Sequence, residues 1–130
     1  MSHITTSAAF STRLATLGFP VAYENADFTP PAEVYLAESI LPAETRSSGL
    51  AATSSDICEG VWQVLCYAPA GEGKGAAFNA AKQVLELFPK ALRAQHSGLE
   101  ATVRRAEQNA GFPSGARWVV PISVYYRATS

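Results

Sequence analysis

Lys74 lies in the run Gly71-Glu72-Gly73-Lys74-Gly75, between an apolar stretch and an amphipathic one. A lysine in a glycine-rich turn that joins strand to helix is the layout of a phosphate-binding loop, where backbone N–H groups and the ammonium cradle phosphates and a following Ser or Thr holds magnesium. The spacing here departs from that pattern. Ala68 stands where the loop needs its first glycine, Gly75 follows Lys74, and Glu72 sets a negative charge where phosphate would lie. These glycines fit a tight, exposed connection that uses positive φ. Such a loop is placed to touch a partner.

Cys58 and Cys66 fall on one expected strand, and eight residues of strand separate them by about 26 Å. A disulfide tolerates roughly 7 Å between Cα atoms, so the two cannot pair within that strand. Both fall on its apolar face, which makes them core thiols rather than nucleophiles. The two histidines, His3 and His96, have no companion ligand at helix or zinc-knuckle spacing. No metal, cofactor or catalytic group is expected.

The whole chain narrows the classes further. Its 130 residues suit a single domain spanning 1–130, which at this size buries roughly two thirds of its unfolded surface. With 10 Lys+Arg against 11 Asp+Glu the net charge is −1, so no basic excess exists to neutralise a nucleic-acid backbone. No apolar run approaches the roughly 20 residues that cross a bilayer, and Met1 to Thr6 lacks the basic and apolar regions of a secretory signal. A cytosolic origin, without membrane or direct nucleic-acid partners, is expected.

The elements that must position these residues follow from periodicity. Thr5, Thr6 or Ser7 is placed to cap a first helix with the stripe Phe10, Leu14 and Leu17, stopped by Gly18 and Pro20. Val21 to Tyr23 runs extended, and Asn25 to Pro31 reads as a turn. Val34 to Leu41 is apolar on both faces and reads as a strand ended at Pro42. Ala43 to Ser55 is small, polar and long for a hairpin connection, with Glu44 and Arg46 supplying both charge signs.

From Ile57 to Tyr67 the even positions Cys58, Gly60, Trp62, Val64 and Cys66 make one apolar face, while the odd positions mix Val61 and Leu65 with Glu59 and Gln63. After the glycine turn, Phe78, Ala81, Leu85, Phe88 and Leu92 recur at helical spacing, with the regular helix ending near Pro89. Residues 97–111 carry divided signals. Ser97 with Glu100 fits a capping box before Leu99, Val103, Ala106 and Ala110, yet a strand around Ala101 to Ala106 fits too. Trp118 to Arg127 alternates as a strand rich in branched and aromatic residues, with Pro121 expected at an edge or bulge. Together these predict an α+β fold: a mostly antiparallel mixed sheet of about four or five strands packed against two helices.

The order of these features resembles the phage tail terminator-like family of long-tailed bacteriophages. The resemblance covers nearly the whole chain. It rests on Tyr23-Glu-Asn25 through Phe28 and Pro30, Tyr35-Leu36 through Leu41-Pro42, Gly60-Val-Trp-Gln-Val-Leu-Cys-Tyr-Ala-Pro69, and the Gly71 to Gly75 loop. It continues in Ala80-Ala-Lys-Gln-Val-Leu-Glu-Leu-Phe-Pro89 and Trp118-Val-Val-Pro-Ile-Ser-Val-Tyr-Tyr-Arg127. It implies a structural protein without catalysis: a subunit of a hexameric ring that sits on the tail tube at the head-proximal end of the virion tail, halts tube growth and meets the head connector. It also favours a strand over a helix near Val103. The partners implied are other copies of the chain, the tail tube protein and the head-to-tail connector. A related tail-completion or head-to-tail joining role is the alternative, and a small nucleotide-binding enzyme using Gly71 to Gly75 is a more distant one.

A ring subunit offers a different patch to each neighbour and needs more apolar surface than its core consumes. The central and final strands are apolar on both faces, and 48% of the chain is hydrophobic with two helices to cover the sheet. Two polar segments at strand ends, carrying Glu44, Arg46, Glu72 and Lys74, are the expected subunit or partner contacts.

Overall fold

The computed structural model describes residues 2–24, 26, 28–31, 33–47, 49–50, 56–69, 71, 75–96 and 98–129. Helix α1 spans Ser2–Leu14 and runs into a 3-10 turn over Ala15–Leu17, which Gly18 ends at φ 81° with its N–H on Ala15 O. It starts earlier than expected. Thr6, one of the expected caps, is an interior helical residue with no exposure. Phe10 and Leu14 are fully buried, as their spacing requires.

Among the described residues seven strands follow: β1 (Val21–Ala22), β2 (Tyr35–Ser47), β3 (Asp56–Pro69), β4 (Arg93–His96), β5 (Leu99–Gln108), β6 (Phe112–Ser114) and β7 (Arg117–Thr129), with α2 (Gly75–Leu87) between β3 and β4. They form a mixed sheet in the order β1-β2-β3-β7-β5-β4, with β6 also on β7. Only β1–β2 is parallel. The count exceeds the four or five expected because β1, β4 and β6 are too short to show a period of two. Residues 99–108 resolve as strand rather than helix. Both of its neighbours are extended, and pairing with β7 and β4 satisfies its backbone where local helical signals could not.

Strand β2 does not stop at Pro42. It continues to Ser47, so Glu44 and Arg46 are strand residues rather than loop residues. Leu36 N donates outward to Pro20 O and Ile40 N to the Glu24 carboxylate, so Pro42, two residues on, aims its nitrogen at the same outer edge, where no strand needs a donor. Pro121 shows the same economy inside the sheet, at neither an edge nor a bulge. Its carbonyl accepts from Asn109 N on the side where β5 pairing ends at Ile122 and β6 pairing begins at Val119, so its missing N–H points into that gap.

Both helices pack on one face of the sheet. The even residues of β3 are buried there with Val120, Ile122, Val124 and Tyr126 of β7, and Phe10 meets Trp62, Phe88 and Tyr126 at ring centroids 5.4, 5.5 and 6.0 Å apart. The buried stripe of α2 is Ala77, Ala80, Ala81 and Val84, leading to Phe88, with Phe78 and Leu85 at its flanks. That differs from the expected stripe by part of a turn. Alanines at the centre let the helix approach the strands closely while the larger side chains wrap the contact. The helix ends before Pro89 as expected, and Ala91, at φ 71°, turns the chain so that Ala91 N reaches Val103 O at 2.8 Å.

Candidate interface site

Where β2 leaves register, between Pro42 and Glu44, one extra residue shifts which positions face the helices. Before the bulge Leu36, Glu38 and Ile40 share the helix side with Cys66, Val64 and Trp62. After it Thr45 pairs Cys58 on that side, and Glu44 and Arg46 turn to the bare face. A second bulge, between Val103 and Arg105 in β5, places the consecutive Arg104 and Arg105 outward while Val103 stays in the core.

The two irregularities bring four charges together. Arg46 Nη1 lies 3.2 Å from Glu44, Arg46 Nη2 lies 3.3 Å from Glu59 Oε1, and Arg104 Nη1 lies 3.2 Å from Glu59 Oε2. Glu59, on β3, is the shared acceptor and the least exposed of the four side chains. The Arg46 pKa is raised above its ordinary value, first by its hydrogen bond to Glu44. Beside this network Arg105 lies over the Tyr125 ring at 4.1 Å, and the Tyr125 hydroxyl donates to Glu107 at 2.8 Å.

The rest of the bare face is largely apolar. Tyr35 and Tyr67 stack at 4.7 Å with planes 2° apart, Arg117 sits over Tyr35 at 4.9 Å, and Arg117 is held by the carbonyls of Glu33 and Pro31. Val61, Leu65 and Tyr67 are only half-buried, and Leu41 is 53% exposed. The central strand thus carries partly exposed apolar residues on the face opposite the helices, whereas on the final strand Val119, Pro121 and Ser123 of that face are buried, as is Tyr35, so the surplus expected of both strands is present on the central one alone.

Of the four expected contact residues, Glu44 and Arg46 are brought into one network. Glu72 and Lys74 lie outside the described residues. Gly71 does take the positive φ, 87°, expected of that turn, and Gly75 opens α2. Sequence pattern alone does not single out Glu59 or Arg104. Glu59 was visible as a charge on the mixed face of β3, whereas Arg104 needed the strand and its bulge to be known.

The groups with chemical potential are otherwise committed to structure. Cys58 and Cys66 are buried free thiols, and burial pushes Cys66 up to about 12. His3 uses both ring nitrogens, on the Tyr126 hydroxyl at 2.5 Å and Thr45 Oγ1 at 2.9 Å, and partial burial lowers its pKa. A neutral ring, with one N–H and one lone pair, fits that pair of hydroxyls. These bonds tie the start of α1 to β2 and β7. Among the described residues no three His, Cys, Asp or Glu side chains converge as a metal site.

A family model described as phage tail terminator protein matches residues 5–126. This chain belongs to the phage tail terminator family. Among solved structures, one chain that carries no functional name is 35% identical, superposes with a TM-score of 0.80, and matches over 98% of this chain and 96% of its own. A chain from the virion of a native gene transfer agent particle is 18% identical, with a TM-score of 0.56 and coverage of 95% and 94%, and so shares the fold. No curated protein matches. Family membership supports a structural role in the phage tail, as a component of the virion, in association with other virion proteins. The family is structural and non-enzymatic.

Proposed function

We propose that this terminator acts by self-association and docking: copies close into a hexameric ring that caps the tail tube, stops its polymerisation and presents a docking surface to the head-to-tail connector at the head-proximal end of the tail. The observation that most favours this reading is the bare face of the sheet. Half-buried Val61, Leu65 and Tyr67 adjoin the Glu44–Arg46–Glu59–Arg104 network, an apolar centre with a charged rim of the kind that protein interfaces use. The charges are balanced in sign, which suits protein rather than nucleic acid. In this reading Glu44 and Arg46, with Glu72 and Lys74 of the glycine turn, contact neighbouring subunits or tail partners.

The test mixes purified protein with polymerising tail tubes and follows light scattering and electron microscopy. Rings at tube ends and tubes of limited length are expected; unchanged tube growth with the protein left monomeric sinks the reading. Pull-down against tube and connector proteins separately distinguishes a terminator from a joining protein that binds the connector alone.

A further inference from the structure

On the helix side of the sheet, α1 and the outer edge of β2 leave a recess of about 480 Å³ walled by Ile4, Ala8 and Ile40, with Glu24 and Glu38 along it. Ile4 is 66% exposed, a large apolar side chain standing at the rim. Glu38 is buried, and its carboxylate accepts from Trp62 Nε1 at 2.8 Å, Ser7 Oγ at 3.4 Å and Glu24 N at 3.3 Å. Glu24 in turn accepts from Ile40 N at 2.8 Å. Every one of these donors is neutral. Among the described residues neither carboxylate has a cation within ion-pair distance. Two negative charges in a mostly apolar recess, one of them withdrawn from water, are stabilised by a positive group arriving from outside.

The complementary charge lies on a different surface of the same molecule. On the bare face Arg105 rests on Tyr125 and Arg127 is exposed, and among the described residues neither has a carboxylate partner. We propose that the recess between α1 and β2 receives the Arg105 and Arg127 patch of a second copy of this chain, with Ile4 and Ile40 packing around the incoming side chains. The two surfaces are distinct, one at the β2 edge beside α1 and one across β7 and β5. The contact is therefore heterologous and repeats from copy to copy, closing as a ring or running on as a filament. The proposal rests on the ring reading above and names its contact.

Charge reversal tests it on the full chain in the same tube-capping assay. Glu24→Arg and Arg127→Glu, each alone, are expected to weaken assembly by at least about tenfold, as removal of one partner from a desolvated pair does. Glu24→Arg combined with Arg127→Glu restores assembly, because every contact in the ring then carries the swapped pair. Ile4→Arg, at an exposed position whose change leaves thermal unfolding unaltered, also weakens assembly. Wild-type rings together with single variants that assemble normally overturn the contact and leave the ring reading standing. So does a double variant that unfolds like wild type yet stays defective. Variants that still form rings but no longer bind tubes assign the recess to the tube protein and overturn the contact as well. Wild-type protein that forms no ring ends both.

Discussion

Gly60 sits on the core face of β3, where an added Cβ would stand 2.7 Å from Leu41 O and 2.8 Å from the Tyr126 hydroxyl. The first neighbour is backbone and the second is fixed by His3, so neither can yield without moving a strand or breaking a hydrogen bond. Gly60→Ala is expected to destabilise the fold by about 1–3 kcal/mol in urea unfolding. Gly75→Ala, where a Cβ meets nothing, is expected to be neutral or to gain up to about 1 kcal/mol as the helix loses a flexible residue; equal losses at the two positions would contradict the close approach. Cys66 gives a pH test. Its thiol is pushed from 9.0 up to about 12 by burial, so between those values the unfolded chain has released a proton that the folded chain keeps. Its contribution is complete below pH 9.0 and falls as pH rises, by up to about 1.4 kcal/mol per pH unit. Cys66→Ala should flatten the decline in unfolding free energy between pH 9 and 10, below the range where Tyr67 and Tyr126, also raised by burial, add theirs.

The bulge in β2 makes a sharper prediction at the level of the strand. Ala43 is the residue without a partner in the ladder, between Pro42 opposite Gly60 and Glu44 opposite Glu59. Deleting Ala43 leaves both pairings possible in a regular ladder, and is expected to cost at most about 1 kcal/mol while keeping Arg46 beside Glu59. Deleting Ser39, from the regular part of β2, turns one flank of the strand over and drives either buried Leu36 and Glu38 or the positions beyond them to the wrong face, for several kcal/mol. Similar costs for the two deletions, measured by urea midpoint, would mean that the bulge is not the source of the face change. The same feature explains what the sequence could and could not disclose. The alternation of Cys58 to Cys66, the pattern from Trp118 to Tyr126, the Phe10–Leu14 stripe and the Gly18 stop are local, and each appears where expected. Glu44 and Arg46 read as loop because Pro42 reads as a stop, and only the free outer edge of β2 makes that proline harmless. The 97–111 segment reads as helix or strand until β7 lies beside it. Likewise, Arg104 becomes a partner of Glu59 only after two strands and a bulge have been set, a relation between positions 45 residues apart.

At the scale of the whole molecule, the sheet divides its labour between two faces: the helix side holds most of the aromatic core, and the other side buries Tyr35, Val119 and Ser123 but keeps half-buried apolar residues on the central strand and a charged rim. The rim contributes little to the fold itself. Arg46 and Glu44 are both exposed, and an exposed ion pair is screened by water and costs side-chain entropy, so it adds little to stability. Arg46→Ala should therefore leave the urea midpoint of the isolated chain nearly unchanged. In an interface the situation reverses, because burial under a neighbour removes the water that screens the pair and leaves Glu59, already the least exposed member, with only Arg104. Tube capping by Arg46→Ala should accordingly fall by about tenfold or more. A variant that caps tubes as well as wild type would place the contact elsewhere on the bare face, whereas one that loses stability and capping together would make the network part of the fold rather than of the assembly.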